Sequence, residues 1–584
     1  MTTQDPTPPS TPQMLMTLQE AIHELTKPGA EFEVGTEVIR GIETNVWGGC
    51  ASSLREVLER HKDLARDFLV YVDEHGKDHR LTYPEHYRAC CRLAHALVHD
   101  FGVRKGDRIA LAARNLPEWS VVFWAATGIG AIIVPLNAWW TGPEMVYGLN
   151  DSGSRMLFAD GERLERILPH RSEVAGIETL VGLRLGPDAD ALSLEQVLAD
   201  VPEDVPFPDV DLDPDDDATI FYTSGTTGFP KGALGTHRNV CSNLRAAEFL
   251  KRRGEVRTGV VAPPIEDPEA PQPATLLSVP MFHVTGCHST LVPALGGGSK
   301  LVITYKFDAA QTVELIEQEK VSGFGGVPTL VWKVLEAPNF RDHDLSSVIR
   351  VAYGGAPAAP ELVRRIQEEF PQAAPSNGYG LTETSAITSS NAGPEYVAKP
   401  DSAGLPMPPC SVKVCDEQGN ELATGEIGEL WIHGPNVIKG YWNKPEATAE
   451  TFVEGWLKSG DLARLDEEGF ITICDRAKDM VIRAGENVYC SEVEAALHEH
   501  PDVLAAAVYG VADRVLGEEV AATLQMRSGA EVQPEQLRAF ALERLAGFKV
   551  PVEWDLSTEP LPLNANGKIL KRDLREKAEA RRGS

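Results

Sequence analysis

The segment from Phe221 to Gly232, FYTSGTTGFPKG, concentrates hydroxyl groups, glycines and one lysine. It overlaps a short run of β-branched and aromatic residues, Ala218 to Tyr222, which predicts a strand. After a strand, glycines let backbone N–H groups converge on an anion, hydroxyls add donors, and a lysine adds a compact positive charge. The segment therefore predicts a phosphate-binding loop. Its candidate ligands are Thr223, Ser224, Gly225, Thr226, Thr227, Gly228 and Lys231.

Two common nucleotide-binding patterns do not account for this loop. A Walker P-loop needs Gly-Lys followed by Ser or Thr, whereas Lys231 follows Pro230. No GxGxxG opens a strand-to-helix turn, which argues against a nicotinamide-dependent oxidoreductase. A polar surface loop is the remaining alternative, and the density of hydroxyls and glycines argues against it.

Two more segments combine glycines with groups that suit a nucleotide. The turn Gly354-Gly355-Ala356 follows a predicted strand, Val348 to Tyr353, where ligands of α/β sheets lie. The segment from Asn377 to Thr384, NGYGLTET, brings a ring, hydroxyls and a carboxylate together. Glu383 is the candidate Mg²⁺ ligand and Thr382 a candidate donor to the α-phosphate, although a solvated turn carboxylate is the alternative for Glu383. The other candidate nucleotide contacts here are Asn377, Gly378, Tyr379 and Gly380.

In order and spacing, these segments resemble motifs of the adenylate-forming superfamily, which includes acyl-CoA synthetases, luciferases and peptide-synthetase adenylation domains. Three later segments extend the resemblance: Ser459-Gly460-Asp461, Asp475 to Asp479 (DRAKD) and Asn564 to Arg572 (NANGKILKR). The resemblance covers about residues 50 to 580. Six motifs in the same order make a coincidence very unlikely.

The resemblance implies roles for the later motifs. Asp461 would accept the ribose hydroxyls, Arg476 would contact the ribose, and Lys478 would lie at a hinge. Lys568 would bridge the carboxylate substrate and the nucleotide in the first half-reaction, where a lysine offsets the charge of two approaching anions. His283, in the segment PMFHV, resembles a position that lines the acyl pocket, and a buried core histidine is the alternative.

The implied reaction has two steps that use ATP, Mg²⁺ and coenzyme A. A small carboxylic acid attacks the α-phosphate of ATP, giving an acyl-adenylate and pyrophosphate, and a thiol then displaces AMP. Between the steps the C-terminal domain would rotate, withdrawing Lys568 and bringing in the loop that contains Gly485. The resemblance favours a fatty-acid or aryl-acid CoA ligase over an amide synthetase or carrier-loading enzyme, and over a catalytically silent nucleotide-binding relative.

Four positions depart from the family pattern. Arg483 and Ala484 replace the first two residues of a loop that usually reads Ser-Gly-Gly-Glu-Asn, and Cys490 stands where proline is common. Cys287 occupies the place where long-chain relatives can carry a tryptophan gate. Adenylation is thus better supported by the motifs than thioester formation or a gated fatty-acid tunnel.

Composition restricts the partners and the compartment. The formal net charge of -31 argues against nucleic acid and against docking on an anionic membrane. The nine cysteines are scattered without a CxxC, which fits a reducing cytoplasm. The sequence shows no signal peptide and no apolar run long enough to span a bilayer. A cytoplasmic enzyme is expected, and a homodimer is left open.

The elements that must position these residues follow an α/β pattern. From about residue 80, helical patterns such as Pro84 to Phe101 alternate with short apolar strands, which predicts a large N-terminal domain of doubly wound sheets. After about residue 400, short strands and Gly turns predict a β-barrel-like subdomain. A small, mobile α+β domain would follow, in which Ser491 and Glu494 form a capping box that opens a helix. The predicted domains are residues 1–475, a hinge at 476–480, and residues 481–584.

Overall fold

A computed structural model gives the structure of the chain and describes residues 14–185, 191–223, 230–355, 360–564 and 568–582. Some helices within these ranges begin after residues whose side chains cap them: Thr82 and Thr236 each accept a hydrogen bond from the backbone three residues on. The helices are α1 Leu18–Thr26, α2 Leu54–Glu59, α3 Tyr83–His99, α4 Pro117–Gly128, α5 Gly142–Ser152, α6 Gly161–Ile167, α7 Leu194–Leu198, α8 His237–Thr258, α9 Val284–Gly286, α10 Val292–Gly296, α11 Ala309–Gln318, α12 Pro328–Leu335, α13 Pro360–Glu369, α14 Pro394–Ala398, α15 Pro445–Thr451, α16 Cys490–His498, α17 Pro534–Leu542 and α18 Lys571–Arg582.

The strands of the described ranges alternate with these helices up to about residue 380 and then follow one another more closely. They are β1 Val34–Ile39, β2 Ile42–Trp47, β3 Asp67–Val72, β4 Asp78–Thr82, β5 Arg108–Ala112, β6 Ile132–Pro135, β7 Met156–Asp160, β8 Thr179–Leu183, β9 Leu192–Ser193, β10 Asp217–Thr223, β11 Lys231–Thr236, β12 Ala274–Leu277, β13 Lys300–Thr304, β14 Gly323–Gly326, β15 Arg350–Gly354, β16 Ala374–Tyr379, β17 Ser389–Ala392, β18 Leu405–Pro406, β19 Ser411–Cys415, β20 Gly428–His433, β21 Gly440–Tyr441, β22 Phe452–Val453, β23 Trp456–Leu465, β24 Ile471–Arg476, β25 Val481–Arg483, β26 Glu486–Val488, β27 Val503–Asp513, β28 Gly517–Met526 and β29 Glu553–Ser557.

Two large mixed sheets carry the N-terminal part of the fold. One has the strand order β21-β11-β10-β6-β5-β7-β8-β9, and the other β18-β17-β16-β15-β14-β12-β13-β3-β4. Helix α4 is apolar around its circumference, and its Trp119 and Trp124 are fully buried in a core shared with Phe68 of β3 and Phe158 of β7. The predicted α/β fold class is confirmed, with helices packed between the sheets.

Apart from β18 and β21, the strands after residue 400 form two smaller sheets. In the first, β19, β20, β22, β23 and β24 pair antiparallel, in agreement with the predicted change of character. In the second, β26, β25, β28 and β27 lie in that order, and β29 pairs parallel with β28. Helices α16 and α17 bury Val493, Leu497 and Leu537 against this second sheet. In the described ranges, no helix is both long and apolar enough to cross a membrane.

The predicted capping box at Ser491 and Glu494 is wrong. Helix α16 begins one residue earlier, at Cys490, after Tyr489, and no side chain caps its first turn. The Ser491 hydroxyl donates to the carbonyl of Cys474, and Glu494 accepts the backbone N–H of Val508. Partners distant in sequence thus take both side chains away from the local motif.

Candidate active site

Lys568 reaches into the N-terminal part of the molecule from the far end of the chain. Its Cε lies 3.8 Å from the position that a β-carbon on Gly355 would occupy, and Gly355 has φ +75 at the carboxyl end of β15. Burial lowers the pKa of Lys568 to about 8; nearby Arg476 and Lys478 also lower it, while Asp461 and Glu383 oppose the shift. The predicted catalytic lysine, both carboxylates and both hinge-region cations therefore lie within electrostatic range of one another.

Asp461 contacts two other residues that are predicted to bind the nucleotide, Arg476 and Tyr379. It lies on β23 opposite Arg476 of β24 and is 3% exposed. Its Oδ1 is 2.7 Å from Nε of Arg476, and its Oδ2 accepts a 2.7 Å hydrogen bond from the Tyr379 hydroxyl. Although burial opposes its charge, Arg476 has a raised pKa because Asp461 lies beside it. Two carboxylate oxygens offer about four acceptor sites, so room remains for ribose hydroxyls.

Glu383 and Lys231 both contact Tyr441, which is not among the predicted site residues. Glu383 lies on a short 3₁₀ turn, Thr382–Thr384, and its Oε1 accepts a 2.7 Å bond from the Tyr441 hydroxyl. Lys231 Nζ lies 4.6 Å from the centre of the Tyr441 ring. Tyr441 therefore connects the proposed metal ligand to the phosphate-loop lysine. Its only sequence signal is a Gly-Tyr-Trp-Asn segment at residues 440–443.

The chemistry of Glu383 fits Mg²⁺ on a nucleotide. The described residues contain no group of three or more His, Cys, Asp or Glu side chains arranged to hold a metal. Mg²⁺ in phosphoryl-transfer sites keeps several waters and binds through one or two carboxylates together with the phosphates. Glu383, whose Oε1 is bonded to Tyr441, can supply such a carboxylate through its other oxygen.

The base of the phosphate loop is a β-hairpin. Thr223 ends β10 and lies opposite Lys231, the first residue of antiparallel β11. This register places both predicted ligands at the mouth of the loop. Pro230, next to Lys231, accepts a hydrogen bond from the Tyr147 hydroxyl through its carbonyl. The predicted ligands Ser224, Gly225, Thr226, Thr227 and Gly228, together with Ala356, lie outside the described residues.

The glycines of the Gly354–Ala356 turn and of the Asn377–Thr384 segment differ in the space around them. A β-carbon on Gly354 would lie 2.3 Å from the Gly378 carbonyl oxygen, and one on Gly380 would lie 1.4 Å from that of Ala386. Close backbone approach therefore requires these two glycines without any ligand. A β-carbon on Gly378 would meet no atom within 4 Å, which leaves that face open to a ligand. Asn377 precedes it on β16, paired with Tyr353 of β15.

His283 lies beside the reacting centre suggested by Lys568. It is half-buried and caps the short helix α9 by accepting the N–H of Thr285. Burial lowers the pKa of His283 to about 3, and the nearby positive charge of Lys568 contributes to this shift. The imidazole is therefore neutral near pH 7. Cys287, at the predicted gate position, is fully buried.

Lys478 of the predicted hinge and Gly485 of the following loop occupy different environments. Lys478 is close enough to Arg476 and Lys568 to affect the active-site charge, and burial lowers the pKa of Lys478. Gly485 lies in the turn between β25 and β26, with φ +86, after Ala484 at φ +53. That hairpin packs on β28, where Arg483 pairs with Glu519 at 2.5 Å. A β-carbon on Gly485 would meet no atom within 4 Å.

The assembled site combines three cationic side chains with two carboxylates around open backbone. Lys568, Arg476 and Lys478 provide a local positive field in a chain whose net charge is -31. Such a field can hold a polyphosphate and offset charge when a second anion approaches it. The geometry suits nucleophilic attack of an anionic group on a bound nucleotide.

Comparisons with known proteins agree with this geometry. A family model described as AMP-binding enzyme matches residues 56–442, and another described as AMP-binding enzyme C-terminal domain matches residues 492–568. A feruloyl-CoA synthase from Amycolatopsis sp is 35% identical over 500 residues, which cover 85% of this chain and 94% of that protein. A long-chain-fatty-acid–CoA ligase from Bacillus subtilis (strain 168) is 32% identical over 543 residues, covering 86% and 91%.

A solved structure extends the similarity to the whole architecture. An anthranilate CoA ligase in complex with anthranoyl-AMP aligns with a TM-score of 0.81 and 26% identity, covering 91% of this chain and 98% of that one. Both family models, the two relatives and this structure agree with the motif order. The chain therefore belongs to the family of AMP-binding enzymes, which confirms its resemblance to the adenylate-forming superfamily.

Proposed function

We propose that the chain is an ATP-dependent carboxylic acid–CoA ligase that forms an acyl-adenylate. It is an acid–thiol ligase of the AMP-forming class, and it uses ATP, Mg²⁺ and coenzyme A. Its acid is a fatty or an aryl carboxylic acid, a proposal supported by relatives named for both kinds of substrate. The observation that carries the proposal is the position of Lys568 at Gly355, within range of Asp461 and Glu383.

In the first step, a carboxylate oxygen forms a bond to the α-phosphorus of ATP and the bond to pyrophosphate breaks. Lys568 offsets the charge of the approaching carboxylate and of the phosphates, because its ammonium group is desolvated and faces this centre. Neutral His283 adds no further charge beside it. Glu383 would hold Mg²⁺, which would neutralise part of the charge of the phosphates.

In the second step, the thiol of coenzyme A attacks the acyl carbon and AMP leaves. Asp461 and Arg476 hold the ribose end of the nucleotide during adenylation, and Lys231 holds the pyrophosphate end. The arrangement around Lys568 corresponds to the first step, since this lysine lies in the nucleotide site rather than away from it.

A panel of acids tests the proposed function. Pyrophosphate release is measured with short, medium and long fatty acids and with benzoate, anthranilate and ferulate, each with and without coenzyme A, and thioesters are identified by mass. We expect release that depends on the acid, and a thioester with AMP only when coenzyme A is present. Acid-dependent release without any thioester would favour an amide synthetase or carrier-loading enzyme instead.

Adenylation is expected to lose activity in alkaline solution. The pKa of Lys568 is lowered to about 8, so its positive charge is complete well below that pH and disappears above it. Because the charged form is the active one, kcat/KM for acyl-adenylate formation should fall about tenfold per pH unit above about pH 8. Pyrophosphate release between about pH 6 and 10 measures this fall in kcat/KM, the alkaline limb of the pH profile. In Lys568→Arg, which stays charged, the limb should disappear from whatever activity remains; an unchanged limb would assign it to another group.

A further inference from the structure

Ser491 and Glu494, which do not form the predicted capping box, connect α16 to other parts of the chain. Ser491 and Cys490 connect the helix to β24: the Ser491 hydroxyl donates to the carbonyl of Cys474, and the Cys490 N–H donates to Oδ2 of Asp475 at 2.5 Å. Strand β24 also carries Arg476, which pairs with Asp461 in the nucleotide site. Helix α16 is thereby tied across the hinge region to the strand that holds the ribose-binding pair.

Glu494, one turn further along α16, connects the helix to the segment that carries Lys568. Its Oε1 lies 2.7 Å from Nζ of Lys571 and accepts the N–H of Val508 at 2.8 Å. The Glu494 and Lys571 side chains are only 16% and 22% exposed. Although burial opposes the charged amine, the Glu494 carboxylate raises the pKa of Lys571, so the ion pair persists at neutral pH.

Lys571 lies three residues after Lys568 and begins α18. Asn564 and Lys568 bond to each other: the Asn564 N–H donates to the Lys568 carbonyl, and the Lys568 N–H donates to Oδ1 of Asn564 at 3.0 Å. These two bonds join Asn564 to Lys568 and do not by themselves fix Lys568 relative to the rest of the molecule. Within the described residues, the ion pair to Glu494 supplies such an anchor immediately after Lys568.

A second acidic residue of α16 offers a contrast. Glu492 pairs with Lys549 at 2.7 Å, but this pair lies at the surface, with 43% of the Glu492 side chain exposed. Lys549 is remote in sequence from Lys568. Both ion pairs join a glutamate of α16 to a lysine. They differ in burial and in the segment to which the lysine belongs.

We propose that Glu494, Lys571 and Ser491 are positioning residues that place Lys568 for acyl-adenylate formation. The inference rests on the proposed function. Strand β24 fixes α16 through Ser491, α16 fixes Lys571 through Glu494, and Lys571 fixes the turn that carries Lys568. Displacement of a reacting group by about 1 Å can cost about a hundredfold in rate, so weakening any link should slow the step that uses Lys568.

The test separates the two half-reactions of the full-length enzyme. Acyl-adenylate formation is followed by pyrophosphate release, and thioester formation is followed with supplied acyl-adenylate and coenzyme A. We expect Glu494→Gln and Lys571→Gln to slow adenylation at least about tenfold and to change thioester formation by less than about threefold. Lys571→Arg, which keeps the ion pair, should retain adenylation within about threefold of the parent, and the surface control Glu492→Gln should change neither step.

A purely structural role would give another pattern. If the ion pair only stabilises the C-terminal domain, Glu494→Gln will slow both half-reactions equally, and that result would overturn the proposal. Ser491→Ala removes one hydroxyl without leaving a buried charge, so it tests the same chain of contacts if the ion-pair variants fail to fold. It should slow adenylation alone by about threefold or more, and an unchanged adenylation rate would also overturn the proposal. A parent enzyme that forms no acyl-adenylate from any acid would refute the proposed function instead.

Discussion

Replacement of Lys568 by alanine is expected to lower acyl-adenylate formation by at least about a thousandfold, while thioester formation from supplied acyl-adenylate stays within about threefold of the parent. The reason is the site of Lys568: its ammonium group is desolvated at the Gly355 turn, next to Asp461 and Glu383. Removal of a preorganised charge from such a site raises the barrier only for the step in which two anions meet. The second step has lost pyrophosphate and no longer needs that charge.

Pyrophosphate release measures the first step, and thioester formation from acyl-adenylate measures the second. Lys577→Ala is the matched control, because Lys577 is an exposed lysine on α18. It should leave both rates unchanged. Adenylation by Lys568→Ala within about tenfold of the parent, a barrier change of about 1.4 kcal/mol, would show that Lys568 is not the residue that bridges the two anions.

The sequence allowed the motif residues to be predicted because they are contiguous. The strand and turn around Thr223 and Lys231, and the Asn377 to Thr384 segment, carry their chemistry within a few residues of one another. The alternating elements predicted an α/β fold, in which ligands lie at strand ends. The two segments follow β10 and β16, which belong to different sheets, so that pattern alone did not predict that they meet.

Other contacts depend on segments that meet only in the folded chain. Tyr441 bonds to Glu383 although 57 residues lie between them, and its only local signal is the Gly-Tyr-Trp-Asn segment. The Ser491 and Glu494 pair satisfied a local helix rule, yet Cys474 and Lys571 provided better partners in three dimensions. Gly354 was predicted to be a glycine because a nucleotide approaches it. The structure shows that the neighbouring strand β16 already leaves no room for a side chain there. Local rules fail where tertiary contacts compete with them.

Asp461→Asn is expected to raise the KM for ATP about a hundredfold, which corresponds to about 2.7 kcal/mol of lost binding. The carboxylate accepts a hydrogen bond from Tyr379, forms an ion pair with Arg476, and is 3% exposed. An amide is neutral and has one acceptor oxygen, so it cannot accept from Tyr379, pair with Arg476 and bind the ribose together. Because the Arg476 side chain is 40% exposed, water compensates part of its lost partner, and the free energy of unfolding should fall by only about 1 to 2 kcal/mol.

Urea unfolding and the KM for ATP separate the structural and binding effects of this substitution. Glu467→Gln, which removes one exposed carboxylate from the same β23–β24 hairpin, should change neither quantity. A second nucleotide makes the test specific for the ribose: the parent should prefer ATP over 2′-deoxyATP by about tenfold, since one hydrogen bond to a charged acceptor contributes about 1.5 kcal/mol or more. Asp461→Asn should lose that preference. If the variant binds ATP weakly but discriminates as well as the parent, Asp461 acts only by holding Tyr379 and Arg476, and the ribose hydroxyl is bound by another group.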